Sequence, residues 1–522
     1  MRADQTADCI HAMDETVMAT GSATLAKHPD LSPAQVYLFA FTLGCATGVD
    51  FVASSMMGVA GTHIRGGIHA SPEDFLWSLT SYAAAAMAAN LVLRRIAQDI
   101  SYRGYTLLGL AIATVGAVLC TVCNTPLELS LARAVQGFGA GGLFTASRII
   151  IQLVAAREER RPLFLGFNAG GMGLAALAPW LTAVLVEDAS WRMIFAVQAG
   201  MSAAAILLVL VSYPRRLAAS LAPWEVDIGG MDWITVILLG TGALVLLHGL
   251  GDLRFYELTS SPSVAITPLA GLALVAGVFI HQHRHPDPWL NPKLLFGRRY
   301  LVGLGFYTLY YFLNGLWGYV VPSTLQSGLG FTFQTTGKVL TITGLIGFAG
   351  LCAFTYAGTR LKGQRRYIAL GYFMFAGAAW LLSQRMMPGA SMAVLLPALT
   401  LQSLTTPFIL ALVAGLTYAD FSVEDFAHAY QFKNIMRQIA TAGGTGVASL
   451  WLQYGEALAR TQLVARITPF DLPDGFDAAT LTRWSALIDQ QAQLIAVSNL
   501  FALLAFACVG VALVAVAQRA LR

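Results

Sequence analysis

The stretch "LARAVQGFGAGG" (Leu131–Gly142) places one permanent cation, Arg133, inside a run that is otherwise apolar and rich in glycine. The apolar run extends on both sides of it, from Leu127 to Val154. A helix of this length crosses the roughly 30 Å of hydrocarbon in a bilayer at about 1.5 Å per residue. The stretch therefore predicts a membrane-spanning helix with an unusual charge inside the membrane.

The composition of the whole chain indicates the same class of protein. Of its 522 residues, 56% are hydrophobic and only 11% are charged, whereas soluble proteins carry about 25% charged residues. Apolar stretches of roughly 18 residues or more recur from Val36 to Val516. We therefore predict an all-α, polytopic membrane protein.

The lengths of the apolar stretches predict about fourteen transmembrane helices. They lie near residues 35–57, 77–96, 104–123, 127–154, 164–184, 191–211, 233–250, 264–279, 300–322, 337–356, 367–383, 392–418, 426–451 and 492–516.

The placement of lysine and arginine orients these helices. Alternate connections carry basic clusters, of which Arg157, Arg160 and Arg161 are one example. Because cytoplasmic loops are enriched in lysine and arginine, both termini are predicted to lie in the cytoplasm. On this orientation the longest outer loop is the polar segment 452–489.

Few charged residues fall inside the predicted helices. The acid is Asp50, and the cations are Arg133, Arg148, Lys433 and Arg437. An ionised group at the bilayer centre costs at least ~2.5 to 3.5 kcal/mol on insertion scales, so it normally faces a partner or a wet cavity. These residues are therefore the candidates for function.

Depth in the membrane suggests a partner for Arg133. Counted from the predicted outer ends of their helices, Asp50 and Arg133 both lie roughly 10 Å below the outer surface. A carboxylate near a guanidinium keeps its charge more easily, while burial favours the protonated form, so Asp50 is the candidate proton carrier. The alternative is a structural ion pair that only fixes helix packing.

Two further patterns concern helix faces. Lys433 and Arg437 are spaced i, i+4 on one face with Asn434 beside them, which indicates a cavity lining or a contact with an anion. The alternative is a hydrophilic face that reaches the cytoplasm. Gly137 and Gly141 form a G-x-x-x-G pattern, which allows another helix backbone to approach closely.

Other chemistries find little support in the sequence. The six cysteines are scattered and predict no disulfide framework. The chain has no G-x-x-x-x-G-K loop for ATP. We predict no enzymatic activity, no metal or other cofactor, and no nucleic-acid partner.

Several motifs together resemble the major facilitator superfamily, and in particular its fourteen-span drug:proton antiporter branch (EmrB/QacA-like). "LARAVQGFGAGG" is similar to the fourth-helix motif of the family, and Asp50 matches the acid of its first helix. "WSLTSY" (77–82) and "SWRMIF" (190–195) resemble motifs at the second and sixth helices. The likeness extends from about Gln35 to Val516.

The resemblance implies the major facilitator fold, in which two six-helix bundles alternate access to a central site. It divides the chain into a cytoplasmic tail (1–34), an N-terminal bundle (35–211), a linker with two extra transmembrane helices (212–299), a C-terminal bundle (300–516) and a short tail (517–522). It also implies proton-driven export of hydrophobic or amphipathic compounds from a bacterial inner membrane. In Gram-negative relatives such an exporter works with a periplasmic adaptor and an outer-membrane channel.

Some motifs depart from the family pattern. The cytoplasmic motif after the second helix reads "RRIAQDISYRGY", where Asp99 falls in the Asp-Arg position and Ser101 replaces a glycine. The fifth-helix antiporter motif keeps only Pro179 of its Gly-Pro pair. With Gly137 and Gly141, Asp99 and Pro179 are the predicted conformational residues.

These departures keep two alternatives open. One is a facilitator or symporter for a metabolite or siderophore, and the other is a sensor built on a transporter scaffold. For an exporter, Asp50 and Arg133 are predicted to couple protons to transport. The predicted lining residues of the substrate cavity are Gln136, Trp77, Tyr82, Tyr310, Tyr311, Asn314, Asn434 and Arg437.

Overall fold

The protein is built from helices. The computed structural model describes residues 32–155, 160–213, 231–253, 255, 262–285, 288–289, 295–357, 364–418, 421, 423–467 and 478–521. Within these residues all regular structure is helical. The predicted all-α class is therefore confirmed.

The N-terminal half contains seven helices among the described residues. They are α1 (Pro33–Gly67), α2 (Pro72–Val122), α3 (Pro126–Gly141), α4 (Leu143–Val154), α5 (Arg160–Asn168), α6 (Leu174–Asp188) and α7 (Arg192–Ser212). A π-helical turn, Ala169–Gly173, joins α5 to α6.

Local sequence signals explain where the first helices begin. Ser32, Ser71 and Thr125 each accept a hydrogen bond from a backbone N–H three residues further on. A proline follows each of them directly, at the first helical position, where its missing N–H costs nothing.

The remaining helices form the linker pair and the C-terminal half. They are α8 (Trp233–Asp252), α9 (Ile266–Arg284), α10 (Arg298–Ser323), α11 (Phe333–Ala357), α12 (Gln364–Arg385), α13 (Met392–Ser403), α14 (Leu412–Thr417), α15 (Val423–Val464) and α16 (Ala478–Ala517). The linker helices α8 and α9 pack against each other, and α8 also packs against α2.

Eleven helical stretches among the described residues are long and apolar enough to cross a membrane. The helix α2 counts once among them although it covers two predicted spans. The helices α10 and α15 match two further predicted spans but are not among the eleven. The chain is thus a multi-span helical membrane protein, and the number fourteen stays a prediction.

Glycines bring α3 against α2, as the G-x-x-x-G pattern predicts. A Cβ atom at Gly137 would lie 2.4 Å from the backbone oxygen of Tyr82. One at Gly141 would lie 2.4 Å from Cα of Ala86. Both distances are well below a van der Waals contact, so only glycine permits this packing. It places Arg133 beside Tyr82.

The long helix α2 breaks its direction at Ser101. This residue has φ 68° and ψ 162°, a combination that is essentially restricted to glycine. Its hydroxyl accepts a hydrogen bond from the N–H of Gly104 at 3.2 Å. Ser101 is one of the two positions at which the related cytoplasmic motif has glycine.

Replacing Ser101 with glycine is expected to stabilise the protein. A non-glycine residue in this region of backbone space costs about 1–3 kcal/mol. Glycine relieves this strain but loses the hydrogen bond of the serine hydroxyl, so we expect the free energy of unfolding to rise by about 1 kcal/mol. Thermal unfolding of the purified protein measures this change. Ala203→Gly, on an exposed face of α7, is the control, and its free energy of unfolding should fall by about 1 kcal/mol. Equal effects of the two variants would contradict strain at Ser101.

The polar segment 452–489 is largely helical, which differs from the predicted loop. Residues 452–464 continue α15, and residues 478–489 begin α16. Alanine, leucine, glutamate and glutamine dominate the first of these pieces and favour a helix. Pro469 and Pro473 lie outside the described residues. Arg460 and Asp489 form an ion pair at 3.2 Å between the two extensions.

The two halves of the molecule meet along two seams. In the first, α6 packs against α11, and the N–H of Trp180 donates to the Thr341 hydroxyl at 3.0 Å. In the second, α15 packs against α2 and α4. The membrane-embedded charges of the sequence converge on this second seam.

Candidate functional site

Asp50 lies at the midpoint of α1 and is only 1% exposed. Its carboxylate accepts a hydrogen bond from the Tyr82 hydroxyl at 2.8 Å. It also accepts one from Nη2 of Arg437 at 2.8 Å, which forms an ion pair. Because Arg437 belongs to α15, this ion pair joins the N-terminal half to the C-terminal half.

The partner of Asp50 therefore differs from the one that depth suggested. The apolar pattern predicts that the first helix ends near Met57, but α1 continues to Gly67. Asp50 therefore lies farther from the Gly67 end of α1 than Arg133 lies from the first turn of α3. The two residues do not share one depth in the membrane. Arg437, predicted as a cavity residue, takes the place at Asp50 that was predicted for Arg133.

Arg133 reaches Asp50 indirectly, through Tyr82. Its guanidinium carbon lies 3.9 Å from the centroid of the Tyr82 ring. Its Nη1 donates to Gln136 at 2.7 Å, and Gln136 donates to Gln198 at 2.7 Å. Among the described residues no carboxylate lies within ion-pairing distance of Arg133. Arg133 thus holds the ring whose hydroxyl contacts Asp50.

Replacing Tyr82 with phenylalanine tests this contact. The change keeps the ring beneath Arg133 and removes only the hydroxyl that donates to Asp50. A hydrogen bond to a charged group contributes about 1.5–3 kcal/mol, so the free energy of unfolding should fall by about that amount in a thermal unfolding experiment. Tyr454→Phe, at a tyrosine that is half exposed, is the control and should have little effect. If both variants unfold like the parent protein, the bond to Asp50 is not formed.

A row of polar side chains on α15 continues the contact between the halves. Gln431 donates to the backbone oxygen of Asn90 at 2.8 Å. Asn434 donates to the Thr145 hydroxyl at 2.5 Å. One turn before Gln431, His428 hydrogen-bonds to Arg94 of α2. With Arg437, these side chains repeat every three residues and meet α2, α4 and α1 in turn.

Lys433 is a buried cation on the same helix, and it is 3% exposed. Its Nζ lies 3.5 Å from the ring centroid of Tyr430, 4.4 Å from that of Tyr307 and 5.1 Å from that of Phe144. No carboxylate among the described residues pairs with it. Cation–π contacts contribute about 0.5–2 kcal/mol each, whereas burying an ion costs several kcal/mol.

Two more cations share these rings. The Arg148 guanidinium lies 5.6 Å from the Tyr430 centroid and 4.5 Å from that of Phe164. The Arg437 guanidinium lies 5.7 Å from the Phe144 centroid. These three cations form a layer between the halves in which, among the described residues, only Arg437 pairs with a carboxylate, that of Asp50.

A cavity of about 340 Å³ lies between the halves, next to this layer. From the N-terminal half, Ser54, Ser55 and Gly58 of α1 line it, as does Pro179 of α6. The C-terminal half contributes Trp317, Val321, Leu340, Thr343, Gln402 and Ser403, among others. Ser54 follows Asp50 by one helical turn, so the cavity adjoins the ion pair.

None of the eight predicted cavity residues is on this wall. Asn314 accepts a hydrogen bond from the wall residue Gln402 at 3.0 Å. Tyr310 shares a hydrogen bond with Thr406 at 2.6 Å, and the Tyr311 ring lies 5.9 Å from Arg437. Trp77 is remote from the cavity, because it stacks on His248 of α8 with 3.5 Å between ring centroids.

The predicted conformational residues have separate surroundings. The backbone oxygen of Pro179 would lie 2.8 Å from a Cβ at Gly337 of α11, so α6 and α11 approach closely at the cavity. Asp99 pairs with Arg95 at 3.2 Å and is 57% exposed.

Five polar wall residues were missed in the sequence, namely Ser54, Ser55, Thr343, Gln402 and Ser403. They are small or neutral residues in apolar helices, and no spacing distinguishes them from packing residues. The charges around Asp50 were found because each one is costly in a membrane.

Known proteins provide an independent comparison. The family model described as Major Facilitator Superfamily matches residues 43–445. The "Probable multidrug resistance protein EmrY" of Escherichia coli (strain K12) is 23% identical over 444 residues, which are 84% of this chain and 85% of that protein. The "Efflux pump FUS6" of Gibberella moniliformis (strain M3125 / FGSC 7600) is 30% identical over 241 residues, or 44% of this chain and 41% of that protein.

Solved structures agree at the level of the fold. A mutant of the nucleoside transporter NupG superimposes with a TM-score of 0.53 at 12% identity, covering 92% of this chain and 99% of that chain. A structure described for proton dependent oligopeptide transporters gives 0.59 at 15% identity, covering 93% and 98%. With the family match over most of the sequence, these likenesses show that the chain belongs to the Major Facilitator Superfamily.

Proposed function

We propose that the protein exports hydrophobic or amphipathic compounds in exchange for protons, by alternating access. The observation that carries this proposal is the buried ion pair between Asp50 and Arg437, which joins the two halves beside a cavity. The multidrug and efflux names of its relatives support the direction of transport. The membrane is a bacterial inner membrane, with both termini in the cytoplasm.

The ion pair supplies a way to couple protons to movement. When Asp50 takes up a proton, its charge is lost and its attraction to the Arg437 guanidinium falls. The contact between α1 and α15 then weakens, and the halves separate on that seam. When the proton leaves, the carboxylate pairs with Arg437 again and the seam closes.

Arg133 acts on this step as a positioning residue. Its guanidinium packs on the Tyr82 ring and donates to Gln136, which in turn donates to Gln198. The Tyr82 hydroxyl is therefore kept at hydrogen-bonding distance from Asp50 in the closed state. A periplasmic adaptor and an outer-membrane channel remain predictions for this exporter.

Everted membrane vesicles test the exchange. Respiration acidifies their lumen, and a pH-sensitive dye reports the gradient. A substrate added outside should enter the lumen in exchange for protons and dissipate the gradient. We suggest four compounds on one ring system: 9-anthracenemethanol, 9-methylanthracene, 9-anthracenecarboxylate and 9-(aminomethyl)anthracene.

Vesicles with the Asp50→Asn variant are the control, because they report leakage caused by the compounds themselves. At least one compound should collapse the gradient only with the parent protein. An unchanged gradient for all of them would contradict proton exchange and favour a symporter or a sensor.

A further inference from the structure

The cavity between the halves has neutral polar groups on both of its sides. Gln402 of α13 belongs to the C-terminal half, and Ser54 and Ser55 of α1 belong to the N-terminal half. None of the described residues that line the cavity is an aspartate, glutamate, lysine, arginine or histidine. The wall itself therefore offers hydrogen bonds, and no countercharge, to the polar part of a cargo molecule.

Two successive hydrogen bonds fix which way the Gln402 amide points. The backbone carbonyl of Tyr310 can only accept, so Asn314 faces it with its amide nitrogen, which donates at 2.9 Å. The Asn314 oxygen then faces Gln402 and accepts from the amide nitrogen of Gln402 at 3.0 Å. Reversing either amide would bring two acceptors together. The backbone of α10 therefore sets the orientation of the Gln402 amide.

The fixed Gln402 amide keeps one donor and one acceptor for a ligand. Its bond to Asn314 uses one of its two N–H groups, and no described residue pairs with the second N–H or with the oxygen Oε1. Gln402 is 9% exposed, and Oε1 is not among the enclosed polar atoms, so this oxygen is open to the cavity. A ligand that left either group buried without a partner would bind more weakly.

The hydroxyl groups of the wall are less selective than this amide. The Thr343 and Ser403 hydroxyls each donate their one proton to a carbonyl of their own helix, so they can only accept from a ligand. Ser54 and Ser55 form no hydrogen bond with a described side chain, and a free hydroxyl rotates to donate or to accept. Because these two serines adapt to the cargo and Gln402 does not, selection between polar groups depends on Gln402.

A carboxamide matches what Gln402 offers. A primary or secondary amide has an N–H for Oε1 of Gln402 and a carbonyl oxygen for its second N–H. An ester of similar shape has only acceptors, so it leaves Oε1 without a donor. The apolar part of the wall, which includes Trp317, Val321 and Leu340, suits a ring system that carries the amide.

We propose that Gln402 is a specificity-determining residue, and that the cavity binds uncharged cargo with a carboxamide or lactam group on an apolar framework. Asn314 is the positioning residue, because it holds the Gln402 amide in the orientation that the Tyr310 carbonyl sets. This inference rests on the proposed function, in which the cavity holds the cargo. It adds the polar group by which the cargo is selected.

Binding of three anthracene compounds to the purified protein tests the proposal. Anthracene-9-carboxamide, methyl anthracene-9-carboxylate and 9-methylanthracene share one ring system and are neutral at pH 7. Fluorescence titration in neutral detergent, with the free concentration of each compound measured by dialysis, should show the carboxamide binding about tenfold more tightly than the ester. Apolar area alone would favour the ester, which has an additional methyl group.

Two variants separate selection from packing. Gln402→Met keeps the length of the side chain and should bind the carboxamide about tenfold more weakly, with little change for 9-methylanthracene. Asn314→Leu frees the Gln402 amide to turn its N–H groups to an ester, so the preference for the carboxamide over the ester should fall. Gln384→Met, at an exposed glutamine of α12, is the control and should bind all three compounds as the parent protein does.

Several results would overturn the proposal. Equal binding of the carboxamide and the ester by the parent protein would refute selection, and this comparison needs no variant. An equal loss for all three compounds in Gln402→Met would show a structural role only, and an unchanged preference in Asn314→Leu would remove its positioning role. The proposed function fails separately: if the carboxamide binds as expected but does not collapse the gradient in vesicles, only the coupling is wrong.

Discussion

Replacing Asp50 with asparagine is expected to abolish proton-driven export and to leave the protein folded in the membrane. Asparagine has nearly the shape of aspartate and can still accept a hydrogen bond from the Tyr82 hydroxyl, but it cannot carry a proton between the two sides. Buried acids inside membrane helices commonly serve such relays. Export should be measured in energised vesicles, together with the amount of protein that remains monodisperse in detergent.

Two comparisons make this result specific. Asp489→Asn removes an acid from a half-exposed surface pair with Arg460, and it should export like the parent protein. Asp50→Asn should also bind the cargo more weakly than the parent protein, because asparagine resembles the protonated acid and the proposed exchange requires proton and cargo to oppose each other. Full export by Asp50→Asn would refute the role of Asp50.

The second large effect concerns Arg437. Its replacement by alanine leaves the Asp50 carboxylate buried with the Tyr82 hydroxyl as its remaining partner. Breaking one partner of a buried ion pair typically costs about 3–5 kcal/mol, so thermal unfolding should occur at a much lower temperature. The control is Arg460→Ala, which breaks an ion pair at the surface and should lower the free energy of unfolding by only about 0–1 kcal/mol. The loss of stability in Arg437→Ala should exceed this value.

A double variant separates the ion pair from other roles of Arg437. Asp50→Asn together with Arg437→Gln removes both charges and keeps similar shapes, so much of the stability should return. Export should not return, because no residue is left to carry the proton. If the losses of stability of Asp50→Asn and Arg437→Gln, each measured as a single variant, simply add in the double variant, the two side chains do not interact.

The sequence predicted the helical membrane fold because the length of the apolar stretches is enough to indicate it. The positions of helix ends were predicted less well. Nothing in "GVAGTHIRGG", residues 58–67, stops α1 after Met57, and the helix extends to Gly67. The polar composition of segment 452–489 predicts a loop, yet residues 452–464 continue α15 and residues 478–489 begin α16.

The candidate site was predictable in its members but not in its pairs. Asp50, Arg133, Lys433 and Arg437 were each found because an isolated charge in an apolar helix is costly. Which cation reaches Asp50 depends on how α15 packs against the N-terminal half, and no local pattern specifies that packing. The cage around Lys433 is likewise formed from rings far apart in the chain.

The central claim is that Asp50 exchanges its proton for cargo. The most direct test is the pH change of a weakly buffered solution of the purified protein when it is mixed with a compound already shown to bind. The account predicts release of up to one proton per bound compound, in the direction that reciprocal linkage requires, and no release from Asp50→Asn. Proton uptake, no change, or equal release from Asp50→Asn would contradict it.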